Sequence, residues 1–386
     1  EPYFCPMVLV LMAGVAGALM TADLFNLFVF IEVMLLPSYG LMMLAHRGQG
    51  RRMQVTATRI YVSVNLLTSS LMLIGIAVLY ASLGRVDFGG LVGGAVHDET
   101  ARLGTAIVLL ALGTKSAVVP VHGWLGRTYP HMSPALSALF SGLHTKVSLV
   151  ALFRVHSVLF AGQDTWTGVA LVVFVTSMAV GVLAAVGQSD ARAILSFHMV
   201  SQIGYILIGL ALHTPVAVAA GLFYLVHNVL AKASLFLSSG AVEIAYGRHA
   251  LGEVSGLLRR ERLTSLAFFV AAMSLAGMPP LSGFVAKLAL IAASFDARQW
   301  WVGAAALVVS LFTMMSMLKI WGSMFLGEPQ EPDEEPRISL ALILPGLVLA
   351  AAGLVLGLAG EPLLDLCHTA ADQLLTPSTL YAEGPR

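Results

Sequence analysis

Apolar runs of roughly twenty residues recur along the whole chain, each long enough to cross a hydrocarbon layer about 30 Å thick. Only 11% of the residues are charged and 58% are hydrophobic, whereas an average soluble domain is about 25% charged. A water-soluble fold is excluded, and the chain reads as an all-α polytopic membrane protein. Hydropathy with Gly, Pro and charge punctuation places about eleven spans, near 4–22, 24–45, 55–83, 103–119, 133–160, 166–187, 193–212, 216–244, 262–295, 299–326 and 338–359. The chain starts at Glu1 without a basic–apolar–cleavage pattern, so no signal peptide is expected and the start is read as a truncated one.

Two spans carry internal breaks. Pro120 would deprive the Ser116 carbonyl of its helical partner, and Pro279 with Pro280 would do the same to Leu275 and Ala276. In lipid such backbone survives only where protein or trapped water satisfies it, so a broken span lines a cavity. Each break lies a few residues from a lysine, Lys115 or Lys287. Two broken, basic spans about five helices apart suggest an inverted repeat, with one half over 1–160, a second over 161–326, and an acidic loop, last span and tail over 327–386.

Loop charges give the orientation. One side collects roughly eleven Lys/Arg, among them Arg47, Arg51, Arg52, Arg59, Arg248, Arg259, Arg260 and Arg262, against roughly four on the other, and the richer side is expected to be cytoplasmic. The Pro- and Glu-rich loop Gly327–Arg337 falls on that side as a solvated connector. The 21 basic and 21 acidic residues cancel, and no basic tract points to nucleic acid. Cys5 and Cys367 lie at opposite ends of the chain. No CxxC, His-rich tract or carboxylate cluster suggests a metal, and no cofactor is expected.

Charges inside the spans carry the functional signal, because each costs about 2.5–3.5 kcal/mol at the centre of a spanning helix. Glu32 sits in FNLFVFIEVMLL with no basic residue in its own helix. Its counter-charge must come from another span, and Lys115 in LLALGTKSAVV is the candidate, either as a working pair or as a static ion pair. Lys146 and His144 lie two residues apart, about 200° around a regular helix. They cannot share one cavity unless the helix is distorted, so His144 joins Lys146 through a bulge, hydrogen-bonds a neighbouring backbone, or is simply packed.

His198, Ser201, Gln202 and Tyr205 follow i, i+3, i+4, i+7 and form one polar stripe that can order a file of water. Asn228 and Lys232 share a face, whereas His227 is about 140° from Lys232 and needs an unwound turn to join it. Lys287 is the last deeply placed lysine. Lys319, Glu243, His122 and His156 fall near span ends and are peripheral, Lys319 by snorkelling. Histidine exchanges protons near neutral pH, and desolvation brings lysine towards that range. A line of lysines and histidines bridged by water can therefore pass protons, with Glu32 holding Lys115 charged when close and releasing it when separated.

The segments ADLFNLFVFIEVMLLPSYGL, GTKSAVVPVHGWL, SPALSALFSGLHTKVSLVALFR, SFHMVSQIGYILIGL, VHNVLAKASLFLSSGAVE and LAGMPPLSGFVAKL together resemble the antiporter-like subunits of respiratory complex I, membrane-bound hydrogenases and Mrp-type Na+/H+ antiporters. The resemblance runs from about residue 3 to residue 326. FNLFVFIEV, LFSGLHTK and FHMVSQIGY look most like the D-type subunits of the Mrp branch. Complex I relatives usually carry Pro-Asp after the Trp of the HxWL motif, where this chain has Gly126-Arg127 after Leu125.

The resemblance implies a fourteen-helix subunit of two inverted five-helix repeats, with the first three helices missing from this chain. It implies that Glu32 and Lys115 are the switch pair, Lys146 the connecting lysine, His227 and Lys232 the central link, and Lys287 the terminal lysine. One complex I type has Glu at the Lys287 position. The implied activity is the proton limb of electrogenic Na+/H+ exchange, within a hetero-oligomer of membrane subunits in the cell membrane. The alternatives are a proton-pumping subunit of a redox complex and a silent scaffold. No buried carboxylate cluster suits a hard cation, so the sequence does not place the sodium path, and a partner subunit is one route open to it. No nucleophile triad, P-loop or metal motif points to an enzyme.

Overall fold

The computed structural model describes residues 3–44, 51–161, 163, 166–247, 250–328 and 337–381. Arg47, Arg248 and residues 329–336 of the acidic loop lie outside them. The described chain folds into helices α1 Phe4–Met20, α2 Leu24–Leu44, α3 Arg51–Leu83, α4 Glu99–Lys115, α5 Pro134–Gly142, α6 His144–Leu159, α7 Thr167–Val186, α8 Ala191–Leu212, α9 Pro215–Tyr246, α10 Arg262–Ala276, α11 Ser282–Asp296, α12 Trp300–Ile320, α13 Leu340–Leu358 and α14 Glu361–Leu375. Among the described residues, eight helical stretches are long and apolar enough to cross a membrane. The other three expected spans are the 17-residue α1, the 17-residue α4 and the broken α10–α11 pair.

Helix starts follow local chemistry. Asp98 caps α4 by accepting from the Ala101 amide at 2.8 Å, and Asp190 caps α8 by accepting from Ala193 at 2.9 Å. At the far end of α7, Lys319 donates to the carbonyls of Val186 and Gln188 at 3.0 and 2.6 Å. It therefore caps a helix C-terminus.

Burial divides the helices into an inner and an outer set. Every residue of α8 except Phe197 is buried, so its polar side chains face protein on all sides. α7, α12 and α13 instead present apolar residues outward, among them Val169, Val172, Leu311, Leu344 and Val355. α8 meets α7 through glycine: a Cβ on Gly204 would stand 2.5 Å from the Phe174 carbonyl oxygen and 2.7 Å from the Met178 amide. Helices pack in lipid by such close backbone approach, because apolar side chains gain little over lipid tails. α14, within the stretch expected to be a tail, packs on α9 and α6.

Both lysine-bearing breaks end in the same backbone motif. At the end of α4, Val118 N–H donates to the Gly113 carbonyl and Ala117 N–H to that of Thr114, with Ala117 left-handed at φ 59°. At the end of α10, Met278 N–H donates to Met273 and Gly277 N–H to Ser274, with Gly277 at φ 89°. This is the 6→1 and 5→2 closure of a Schellman cap. Three residues after each left-handed residue stands a cis proline, Pro120 and Pro280.

The first break therefore starts at Ser116, four residues ahead of Pro120, and the left-handed turn rather than the proline's missing N–H ends the helix. The span expected over 133–160 carries a third interruption, at Leu143 between α5 and α6. α9 runs unbroken through His227 and Lys232, so the unwound turn expected there is absent.

Gly204→Val should destabilise the protein by about 1–3 kcal/mol, as overpacking does. The check is a lowered thermal midpoint of the detergent-solubilised protein; an unchanged midpoint would show that α7 and α8 can move apart freely.

Candidate functional site

α2, α3 and α4 build the first cluster. Glu32 and Lys115 do approach, but Lys115 Nζ stands 3.9 Å from Glu32 Oε1, too far for a hydrogen bond. Ser69 of α3 lies between them: Lys115 Nζ donates to Ser69 Oγ at 2.8 Å, and the Ser69 hydroxyl donates to Glu32 Oε1. Lys115 also points at the Asn65 carbonyl at 3.5 Å. The lysine is 5% exposed, whereas the Glu32 side chain is 23% exposed. Glu32 shares an outward stripe with Phe25, Val29, Leu36 and Met43, at helical spacing along α2.

The interruption at Leu143 separates His144 from the helix before it. His144 Nδ1 hydrogen-bonds the Tyr61 hydroxyl at 2.8 Å, and its ring stacks on Phe140 with centroids 4.2 Å apart. Its partner is thus a side chain on α3 rather than backbone. Tyr61 in turn bonds Ser38 at 3.1 Å. Among the described residues Lys146, 4% exposed, finds only the Thr145 hydroxyl, at 3.4 Å.

α8, α9, α10, α11 and α12 build the second cluster. Lys232, with no exposed surface, donates to the Leu195 carbonyl at 2.9 Å. His198 Nε2 bonds Ser316, and Gln202 accepts from the Tyr224 hydroxyl. His227 Nδ1 bonds Ser282 at 2.9 Å, at the first turn of the broken span's second piece, while Ser282 bonds Ser274 at 3.2 Å on the piece before. His227 thus faces the break and Lys232 faces α8, as a regular helix requires. Lys287 donates to the Ala276 carbonyl and to Ser310, each at 2.9 Å, and lies 5.3 Å from the Tyr205 ring centroid. The Ala276 carbonyl expected to be freed by the break is therefore the one the lysine uses. At the first break the indole of Trp124 donates to the Thr114 carbonyl at 2.9 Å, which also accepts from the Ala117 amide.

The second cluster lies within electrostatic range of Lys146 through Lys232. His144 lies within range of the Lys115 charge, Lys232 of Lys146, His198 of Lys232 and Lys287, and His227 of Lys287. Among the described residues Lys146, Lys232 and Lys287 have no carboxylate within ion-pair distance. Along the same line His144 Nε2, His198 Nδ1, Ser201 Oγ, Gln202 Nε2, His227 Nε2 and both amide atoms of Asn228 are buried without a hydrogen-bond partner among the described residues.

The peripheral residues stay peripheral. Glu243 pairs with Arg192 at 3.2 Å, His156 packs against Phe160 and His213, and His122 precedes the Gly123–Thr128 turn. Sequence reasoning missed Ser69, Tyr61, Ser282, Ser310, Ser316 and Tyr224. Only the polar run Thr68–Ser69–Ser70 in an apolar span could have hinted at the first.

Helices that cross a membrane and carry an internal line of lysine and histidine define an ion-handling integral membrane protein. The transmembrane model of the NADH:quinone oxidoreductase/Mrp antiporter family matches residues 21–313, and the chain belongs to that family. The D-type subunit of the Na(+)/H(+) antiporter of Alkalihalophilus pseudofirmus is 38% identical over 387 residues, covering 99% of this chain and 78% of that one. A chain of the Mrp complex from Dietzia sp. superposes with a TM-score of 0.96 at 48% identity, over 98% of this chain and 79% of that one. A chain of respiratory complex I from Thermus thermophilus gives a TM-score of 0.77 at 26% identity, over 93% and 78%.

Gly277 holds Lys287 in place: a Cβ there would stand 2.8 Å from Lys287 Cδ at a left-handed φ. At Gly247, φ 66°, the same Cβ meets nothing among the described residues within 4 Å. Gly247→Ala should cost only the left-handed penalty of about 1–2 kcal/mol. Gly277→Ala should cost measurably more in parallel thermal melts. Equal losses would mean that Lys287 yields without strain.

Proposed function

We propose that this chain carries the proton limb of a multi-subunit, electrogenic monovalent cation/proton antiporter. The observation that carries the reading is the set of buried basic side chains Lys115, His144, Lys146, Lys232, His198, Lys287 and His227, with Glu32 beside Lys115 at one end. Its members are held mostly by neutral oxygens. A buried polar atom without a partner costs about 1–3 kcal/mol, so the unpartnered atoms along α8 and α9 are where water joins the line, with Gln202 and Asn228 as anchors. Protons then move between side chains that each accept and release one. The repeated Schellman break supports two related halves, over 1–160 and 161–326, each with one broken span beside its line.

Glu32 also points to the assembly. A carboxylate on an outward stripe of Phe25, Val29, Leu36 and Met43 is costly against lipid, and we place another membrane subunit over that face. Exchange draws on the membrane potential, which supplies about 2.3 kcal/mol per charge per 100 mV. A proton pump in a redox complex is the second reading, favoured by the similarity to complex I. Against it stand the higher identity to the Mrp-complex chain and the lysine at 287.

The test is Na+-driven dissipation of a pH gradient in inverted vesicles, from cells lacking their own antiporters and expressing the complete set of subunits. Lys115→Ala should lower exchange at least about tenfold, the smaller end of what one proton-transfer group contributes being larger still. Lys319→Ala, which removes only a helix cap, should leave it near wild type. A wild-type complex without sodium response unless a respiratory donor is supplied would transfer the assignment to the redox pump.

A further inference from the structure

We propose that the Ser69 hydroxyl is the proton relay between Lys115 and Glu32, so that the two charged groups communicate through a serine and not as a direct ion pair. The inference rests on the proton-pathway reading above and adds a residue to it.

The direct contact is 3.9 Å, beyond hydrogen-bond reach, while both charged groups bond Ser69, which accepts from Lys115 and donates to Glu32. The direction of each bond suits transfer. When the Ser69 O–H proton passes to Glu32 Oε1 and a Lys115 N–H proton replaces it on Ser69 Oγ, the result is a neutral amine, a neutral carboxylic acid and an unchanged serine. One proton has moved and no co-reactant is needed. A hydroxyl both donates and accepts, so the same path runs in reverse.

The neighbours of Ser69 show that the arrangement is particular to this residue. Hydroxyls inside helices usually bond back to the carbonyl four residues earlier. Thr68 does so to Val64 at 2.9 Å and Ser70 to Leu66 at 3.0 Å. Ser69, 6% exposed, instead turns its proton towards Glu32. The remaining basic side chains mostly repeat the pairing with a hydroxyl: Lys146 with Thr145, His144 with Tyr61, His198 with Ser316, His227 with Ser282 and Lys287 with Ser310. Among the described residues, only at Ser69 does the hydroxyl connect the line to a carboxylate.

The experiment compares Ser69→Ala, Ser69→Thr and Ser69→Cys with Glu32→Gln and Lys115→Ala in the whole complex. It reads Na+-driven proton exchange in inverted vesicles alongside the amount of assembled complex. Ser69→Ala should fall about tenfold or more, as loss of a proton-transfer group does. Ser69→Thr, which keeps the hydroxyl, should restore exchange to within a few-fold of wild type, a rescue that a packing role does not produce in a bulkier side chain. If Ser69→Ala fails to assemble, the Cys and Thr variants decide: the thiol is a weak donor and should exchange clearly more slowly than Thr. Equal exchange by Cys and Thr overturns the relay, as does an assembled Ser69→Thr complex that is as inactive as Ser69→Ala. Wild-type exchange in Ser69→Ala with Glu32→Gln and Lys115→Ala inactive also overturns it while leaving the proton pathway standing. Wild-type exchange in all of them removes the pathway itself.

Discussion

An ammonium group inside a hydrocarbon-bounded protein must find oxygen atoms there, and which oxygens it finds determines what it can do. A carboxylate partner would hold it charged. Here Lys146, Lys232 and Lys287 meet the Thr145 hydroxyl, the Leu195 carbonyl, and the Ala276 carbonyl with the Ser310 hydroxyl. These oxygens are neutral, and a hydroxyl serves as donor or acceptor as its neighbour gains or loses a proton. The fold can be understood as the set of helices and helix breaks needed to bring such oxygens to each lysine.

Two structural devices supply them. A regular helix has already committed its carbonyls, so the chain interrupts α10 with a Schellman cap and turns Lys287 of α11 back onto the Ala276 carbonyl. Gly277 is the residue that lets the chain turn there, since its φ of 89° and its contact with the lysine stem both exclude a side chain. The second device is α8, buried on every side except at Phe197. A helix surrounded by protein can display His198, Ser201 and Gln202 without facing lipid, and α9 and α12 provide the hydroxyls opposite. Of the outward-facing helices, α7 and α13 cover this centre, while α12 covers it and also contributes Ser310 and Ser316.

Much of this was legible in the sequence, because membrane insertion separates apolar spans from the few charges they tolerate. The number of spans, the breaks near 120 and 280, and the lysines and histidines that line the interior all follow from that rule. Helix ends were legible only approximately: Ala117 adopts a left-handed conformation that its identity does not advertise, so the first break starts ahead of its proline. The hydroxyl partners were hidden. Serine and threonine are cheap anywhere in a span, where they usually bond their own helix, and only tertiary packing distinguishes Ser69 or Ser310 from Ser70. Periodicity alone turns the angular misfit between His227 and Lys232 into a distortion, whereas the unbroken helix serves both residues by facing each towards a different neighbour.

The position of the single carboxylate in the line makes it directional. Glu32 lies at one end on an outward stripe, 23% exposed at its side chain, and the basic groups run inward from it among neutral oxygens. A negative charge stabilises a neighbouring ammonium over a few ångströms and much less beyond, so its influence falls mainly on Lys115. A change in the surroundings of Glu32, which a partner subunit covering that face could impose, would thus reach the first lysine before any other and alter the charge that Lys115 presents to His144. On the proposed reading, control by a partner and conduction along the line are in this way separated in space, the first at the exposed face of α2 and the second in the interior that α8 and α9 share.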